Sequence, residues 1–375
     1  MRAHLATWLV VVVTAALAGA LGGCGEAAPT APDRGVEAPG AHAVATTRFA
    51  LTDAARGDRP VLVQAWLPTT AATTDVPIAQ LEPADRRATY DELLAAAPAG
   101  CPSRTLPVAV DGAAAPGTFP VVLVSHCHGC TRLSNATSAI RLASHGFLVL
   151  SVEHATNTLW DDLAGTGISL DPAFLAVRAA DVLFVLDQLA AGATPVSASA
   201  DLSRVGMLGH SFGAVTAGRV AELDPRIRAT AALAAPVENA LLPGVTLANL
   251  TAPLLFVIAA EDNSITELGN LLIRNNYRDT PTAAWKLELP DAGHWSVSDL
   301  AGLVDAFDAG CGPGVRQTDG EPFTYLDPAI GRDVTAAAVT AFFRATLTDD
   351  AGARAYLEQP DMVGLTVDAV HRPAP

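Results

Sequence analysis

Blocks of apolar residues recur along this chain and are separated by segments that are richer in polar residues. Runs that are apolar almost throughout are typical of strands that are buried on both faces of a parallel sheet. The runs that predict strands lie at 61–67, 120–124, 147–152, 205–208, 229–234, 254–258 and 285–289.

The segments between these runs carry the three- and four-residue apolar spacing of helices. In the clearest case an acceptor side chain and a proline, Asp171 and Pro172, begin the helix and Gly192 ends it. Apolar residues recur at helical steps between Val182 and Leu189. Further helices are predicted at about 134–145, 212–223 and 332–346. Alternating strands and helices predict an α/β fold, in which helices cover both faces of a mostly parallel sheet.

The remaining segments set the predicted domain organisation. Residues 81–118 are rich in Pro, Ala and Gly, so we expect an irregular surface excursion there. Residues 155–170 and 237–251 follow strand ends, and we expect them to line a pocket. One folded domain is predicted over 47–349, followed by a C-terminal tail over 350–375.

The first residues indicate a targeting segment. Arg2 and His4 precede an apolar stretch that continues to Leu21, as in the n- and h-regions of a secretory signal. The stretch ends in Leu21-Gly22-Gly23-Cys24, which resembles a bacterial lipobox. We therefore predict a lipoprotein signal peptide over 1–23, a lipid anchor on Cys24 and a flexible tether over 24–46. An ordinary signal peptide that is cut elsewhere is the alternative.

Composition limits the partners. Half of the residues are hydrophobic, so the chain can bury a large core. Its net charge is −16 and it has no cluster of Lys and Arg, which argues against nucleic acid and against an anionic membrane surface. Attachment to a membrane is therefore expected only through Cys24, and the oligomeric state stays open.

Export would place the other four cysteines in an oxidising compartment, where disulfides persist. Cys101, Cys127, Cys130 and Cys311 allow three pairings, and the sequence does not decide among them. We favour Cys127 with Cys130 and Cys101 with Cys311.

The pentapeptide Gly209-His210-Ser211-Phe212-Gly213 carries the strongest chemical signal. It follows the apolar run at 205–208 and leads into a predicted helix. A serine at the tip of a strand–turn–helix stands clear of the sheet edge, and the flanking glycines leave room for the helix to fold back. Ser211 is therefore the candidate nucleophile.

A serine hydroxyl needs a histidine to take its proton and a carboxylate to orient that histidine. His294 follows the last predicted strand and is the candidate base, whereas His371 lies in the tail. Asp262 closes the strand at 254–258 and is the candidate acid, with its neighbour Glu261 as the competitor. The alternative interpretations are that His294 is a solvated loop histidine and that the acidic residue, Asp262 or Glu261, only caps a helix.

An oxyanion site needs two N–H donors, one from Phe212 and one from the loop 125–132. Two histidines and two cysteines lie within residues 126–130 of that loop, so a metal site or a redox pair is a second interpretation. The absence of a second ligand cluster downstream disfavours it.

These segments together resemble the α/β-hydrolase superfamily, over about residues 47–345. Within it they look like the platelet-activating-factor acetylhydrolase and dienelactone-hydrolase-like esterases. The most specific pieces are Phe119-Pro120-Val121-Val122-Leu123-Val124-Ser125-His126, Leu142-Ala143-Ser144-His145-Gly146-Phe147, Val152-Glu153-His154 and the Ser211 pentapeptide. The resemblance implies that Ser211 is the nucleophile and that the N–H groups of His128 and Phe212 form the oxyanion hole.

The chain departs from that resemblance at two places. Family members usually carry glycine at the position of Cys127. The acid of the platelet-activating-factor enzymes often follows the preceding strand, where this chain has Ala234 and Ala235. The acid is therefore expected at Asp262, as in dienelactone hydrolases and cutinase-like polyester hydrolases.

The sequence thus predicts a serine carboxylic-ester hydrolase that works through an acyl-enzyme, without metal or cofactor, on a small-molecule or lipid ester. Short-acyl lipid esters are one substrate class, and polyesters or other acyl compounds are alternatives. The alternative from a different functional class is a non-catalytic surface lipoprotein that binds a ligand. The natural ester and its chain length stay open.

Overall fold

A mixed β-sheet of eleven strands runs through the computed structural model, which describes residues 30–374. The predicted signal peptide and Cys24 lie outside the described residues. The strands are β1 (Ala43–Asp53), β2 (Arg59–Thr69), β3 (Thr74–Pro77), β4 (Thr105–Val110), β5 (Phe119–Ser125), β6 (Leu148–His154), β7 (Ala200–His210), β8 (Ile227–Leu233), β9 (Leu254–Ala259), β10 (Ala284–Leu289), β11 (Pro313–Val315), β12 (Pro322–Thr324), β13 (Asp361–Met362), β14 (Leu365–Thr366) and β15 (Asp368–Arg372).

The strand order in the large sheet is β15-β10-β9-β8-β7-β5-β6-β2-β1-β4-β3. Its centre, from β6 through β5 and β7 to β10, is parallel, and β2 and β15 join it antiparallel on either side. The hairpins β11–β12 and β13–β14 lie apart from this sheet. All seven predicted strands are confirmed, with bounds that differ by up to five residues.

Helices cover both faces of this sheet. They are α1 (Arg87–Ala96), α2 (Ala136–Ser144), α3 (Leu159–Leu163), α4 (Pro172–Ala190), α5 (Phe212–Leu223), α6 (Thr266–Asp279), α7 (Pro328–Leu347) and α8 (Ala351–Tyr356). Successive residues of β5 belong to opposite cores: Val122 and Val124 pack on the side of α2 and α7, and Val121 and Leu123 on the side of α4 and α5. Burial on both sides explains the unbroken apolar runs. Within residues 30–374 no helix is both long and apolar enough to cross a bilayer.

The segment 81–118 is not the irregular excursion that its composition predicts. It contains α1, which buries Tyr90 and Leu94 one turn apart, and β4, which buries Leu106 and Val108 on one face. Strand β4 pairs with β1 and β3 and so extends the sheet. Its short alternating pattern contains Pro107, which hid the strand.

The structured domain also extends past both predicted boundaries. Residues Arg34–Glu37 form a 3₁₀ turn that buries Val36, and β1 begins at Ala43, inside the predicted tether. The predicted tail contains α8 and β15, which pairs antiparallel with β10 and stacks His371 on Trp285. These contacts hold both segments to the domain.

The two disulfides have the pairing that we favoured. Cys101 joins Cys311 across 210 residues, with Cα atoms 5.8 Å apart, and Cys127 joins Cys130, with Cα atoms 5.3 Å apart. The first bond links the loop after α1 to the loop that follows His294. The second closes a short turn in the loop after β5.

Candidate active site

Ser211 lies at the turn between β7 and α5, at the carboxyl edge of the parallel strands. Its backbone has φ 56° and ψ −123°, a strained conformation for a residue with a side chain. A Cβ at Gly209 would collide with the backbone of Gly213, and a Cβ at Gly213 would collide with the carbonyl of Ser125. The two glycines therefore let α5 fold back against its own strand and against the loop after β5.

The imidazole of His294 and the carboxylate of Asp262 meet at the same edge of the sheet. The two residues follow β10 and β9, and both are buried. Asp262 Oδ2 lies 2.7 Å from His294 Nδ1. Asp262 Oδ1 accepts the backbone N–H groups of Ser264 at 2.9 Å and of Ile265 at 3.0 Å. Asp262 thus orients the histidine and caps the turn before α6 with the same side chain.

The competitor Glu261 points elsewhere. Its Oε1 lies 2.9 Å from Arg316 Nη1, and its Oε2 accepts the backbone N–H of Gln317 at 3.0 Å. Arg316 and Gln317 belong to the turn that joins β11 and β12. The structure therefore brings Asp262, and not Glu261, to the histidine.

His210 connects the serine turn to the histidine loop. Its Nε2 lies 3.0 Å from the backbone carbonyl of His294, and the two imidazole rings are 5.1 Å apart. Because a carbonyl only accepts, Nε2 of His210 carries the proton. Burial and the neighbouring His294 lower the pKa of His210 well below its usual range, so the ring is neutral. The residue before the candidate nucleophile thereby fixes the loop of the candidate base.

The loop after β5 lies beside the N-terminus of α5. His128 is half-buried there, with its ring 6.3 Å from the ring of Phe212. Among the described residues, neither the N–H of His128 nor that of Phe212 donates to a protein acceptor. Neither candidate oxyanion donor is therefore engaged by another group of the described residues, and Phe212 also lines the cavity beside Ser211.

The alternative metal interpretation of this loop is not supported by its contacts. The sulfurs of Cys127 and Cys130 are bonded to each other. Both ring nitrogens of His126 are engaged, Nδ1 with the carbonyl of Cys127 at 2.7 Å and Nε2 with the backbone N–H of His154 at 3.1 Å. In the part of the chain that the structure describes, no group of His, Cys, Asp and Glu is placed to hold a metal.

An apolar cavity of about 310 Å³ opens beside Ser211. Phe212 and Val215 of α5 line one side, and Leu268 of α6 lines another. The segments 155–170 and 237–251 contribute Leu170 and Leu241, as their positions after strand ends predicted. Leu241 is 74% exposed and Leu268 is 59% exposed, so the mouth of the cavity is apolar as well.

A buried polar network lies behind this loop, and the sequence analysis missed it. Ser125 Oγ lies 2.9 Å from His154 Nε2, and His154 Nδ1 lies 3.1 Å from Asp181 Oδ2. Arg178 of α4 joins the network and is fully buried. Arg178 and Asp181, one turn apart within the apolar part of α4, were the available sequence signal.

Comparison with known proteins agrees with the fold. The PET hydrolase-like family model matches residues 110–296, and the model of platelet-activating factor acetylhydrolase, isoform II, matches residues 56–160. No curated protein gives a significant match.

Among solved structures, the chain is similar to a ferulic acid esterase from Streptomyces cinnamoneus. The TM-score is 0.63 at 23% sequence identity, and the match covers 84% of this chain and 93% of that chain. At this identity the likeness shows the fold alone. The strand order and the serine turn of this chain agree with the α/β-hydrolase fold that the sequence resembles. The chain therefore belongs to the α/β-hydrolase superfamily.

Proposed function

We propose that this protein is a serine carboxylic-ester hydrolase that works through an acyl-enzyme. The observation that carries the proposal is the bond between Asp262 and His294 at the sheet edge where the strained Ser211 turn lies. Strained backbone concentrates at functional sites, and this arrangement supplies nucleophile, base and orienting acid.

The hydrogen bonds assign the protons. The carboxylate of Asp262 only accepts, so His294 Nδ1 carries the proton of the neutral ring and Nε2 carries the lone pair. Nε2 takes the proton of Ser211 as the hydroxyl attacks the ester carbonyl, and it then protonates the leaving alcohol. Water repeats the sequence on the acyl-enzyme and releases the acid.

The N–H groups of Phe212 and His128 are the proposed donors to the tetrahedral oxyanion. Phe212 begins α5, so the positive end of that helix faces the same point. Their freedom from protein acceptors supports this role.

The apolar cavity supports esters with an apolar chain of several carbons, including lipid esters, better than acetyl esters alone. Two observations bear on the finer substrate. The PET hydrolase-like match includes Ser211, Asp262 and His294, whereas the acetylhydrolase match ends at residue 160, before all three. Because the PET hydrolase-like match covers the whole proposed triad, a polyester is the second candidate substrate, after lipid esters.

Ser211→Ala tests the proposal with two readouts. We expect the wild type to hydrolyse p-nitrophenyl butyrate and to be labelled by a fluorophosphonate, and we expect the variant to do neither while its melting temperature stays the same. A wild type that shows neither reaction would favour the binding lipoprotein. Activity on p-nitrophenyl esters from acetate to octanoate, compared with release from a polyester film, then separates the substrate classes.

We also propose that the protein is exported and anchored through a lipid on Cys24. The two disulfides support an oxidising compartment. Mass spectrometry of the mature N-terminus tests this proposal: a diacylglyceryl group on Cys24 is expected, and an unmodified N-terminus downstream would exclude the anchor.

A further inference from the structure

A buried guanidinium lies directly behind the proposed oxyanion site. Arg178 Nη1 donates to Asn157 Oδ1 at 2.6 Å, and Nη2 donates to Ser125 Oγ at 2.9 Å and to the backbone carbonyl of His126. No carboxylate in the described residues forms an ion pair with it. Burial lowers the pKa of Arg178 to about 9, so it remains charged at neutral pH.

One arm of this arginine leads to His128. Because Asn157 Oδ1 accepts from Arg178, the other end of the amide is its NH₂ group. That group donates to His128 Nδ1 at 2.7 Å. Burial and the charge of Arg178 lower the pKa of His128, which keeps Nδ1 free to accept. Arg178 therefore determines both the amide orientation of Asn157 and the position of the His128 ring.

The other arm ends on a carboxylate. Burial and the charge of Arg178 lower the pKa of His154 to about 4, so its ring is neutral. Asp181 accepts from His154 Nδ1, which leaves Nε2 to accept the hydroxyl proton of Ser125. Each hydrogen bond from Arg178 through Ser125 and His154 to Asp181 thus donates toward the carboxylate. This chain of bonds fixes Ser125, where the loop after β5 begins.

Arg178 also contacts the second oxyanion donor. Its guanidinium carbon lies 4.6 Å from the centre of the Phe212 ring, in cation–π geometry. One side chain therefore touches Phe212 directly and reaches His128 through a single amide.

We propose that Arg178 is a positioning residue for the oxyanion hole, which it acts on from behind by holding His128 through Asn157 and Phe212 by stacking. This inference rests on the proposed ester-hydrolase function. A donor that is displaced by a fraction of an ångström loses most of its effect on the transition state but little of its effect on substrate binding.

Arg178→Met and Arg178→Lys test the inference. Methionine removes the charge and the bonds, whereas lysine keeps the charge and lacks the planar fork that reaches Asn157 and Ser125 together. We expect both to lower kcat and kcat/KM for p-nitrophenyl butyrate by about 10- to 100-fold, with KM within about threefold. The Ki of phenylboronic acid, which forms a tetrahedral adduct with the serine, should rise in parallel. A merely structural role would not tie kcat to boronate affinity.

Asn157→Ala is the second variant, and it breaks only the branch to His128. The same parallel loss is expected from it, and it decides the matter if the Arg178 variants do not fold. Arg56→Met is the matched control, because Arg56 pairs with Asp181 at 2.8 Å from the solvent side and touches neither donor. Its kcat should stay within about threefold of the wild type.

The two proposals fail in different ways. A wild type without esterase activity or fluorophosphonate labelling would remove the proposed function itself. An active wild type whose Asn157→Ala and Arg178→Met variants keep both kcat and boronate affinity would overturn only the role of Arg178. Recovery of full kcat by lysine alone would also overturn it, since charge without positioning would then suffice.

Discussion

Asp262→Asn perturbs the proposed triad at the position where the sequence left two candidates. The amide oxygen of asparagine can keep the two bonds that Oδ1 accepts from Ser264 and Ile265. The amide nitrogen then replaces Oδ2, 2.7 Å from His294 Nδ1. Because that nitrogen donates, Nδ1 must accept, and the proton of the neutral ring moves to Nε2. The histidine then offers Ser211 an N–H in place of a lone pair.

The expected loss is large because the base is in the wrong tautomer. The equivalent change in a serine protease triad lowers kcat by about 10⁴-fold. Here we expect about 10³- to 10⁴-fold, which is about 4 to 5.5 kcal/mol of transition-state stabilisation. KM should change little, since Asp262 is fully buried and does not reach the cavity. Steady-state hydrolysis of p-nitrophenyl butyrate measures both constants, and thermal melting shows whether the turn before α6 is kept.

Glu261→Gln is the matched control, one residue away. Its side chain faces Arg316 and Gln317, so we expect kcat within about threefold of the wild type. The reasoning would be refuted if Glu261→Gln lost activity a thousandfold while Asp262→Asn stayed close to the wild type.

Three further predictions follow from the geometry. Gly213→Ala would drive a Cβ into the carbonyl of Ser125, so we expect a loss of about 1–3 kcal/mol in chemical denaturation together with most of the activity; a stable, active variant would contradict this packing. Leu268→Trp would fill part of the cavity, so the ratio of octanoate to acetate hydrolysis should fall severalfold while acetate hydrolysis persists; an unchanged ratio would place the chain elsewhere. Burial and Arg178 lower the pKa of His154 to about 4, against about 6.5 in the unfolded chain. The unfolded chain therefore binds this proton first, so the stabilisation is complete above pH 6.5 and about 3 kcal/mol of it is lost by pH 4. Denaturation midpoints measured across that range should fall toward acid, and a flat profile would contradict a buried neutral His154.

The sequence predicts the parts of this molecule that depend on local pattern. The buried strands are continuous apolar runs because both of their faces are covered, and the helix at α4 carries its own cap and stop. Strand β4 was missed because it is short, contains Pro107 and is defined by pairing with β1, more than fifty residues away. Likewise, β15 looks like a polar tail until it pairs with β10.

The serine turn was determined by sequence alone, because a strained nucleophile between two close-packed glycines leaves few other residues possible. The choice between Asp262 and Glu261 was not determined by sequence, since adjacent loop residues have equal access to the histidine. In the structure Arg316, from the hairpin β11–β12, pairs with Glu261 and leaves Asp262 to orient His294. No local sequence pattern indicates the role proposed for Arg178. Its partners come from β5, from the loops after β5 and β6, and from the start of α5, and only the packing of α4 against the sheet brings that charge behind the site.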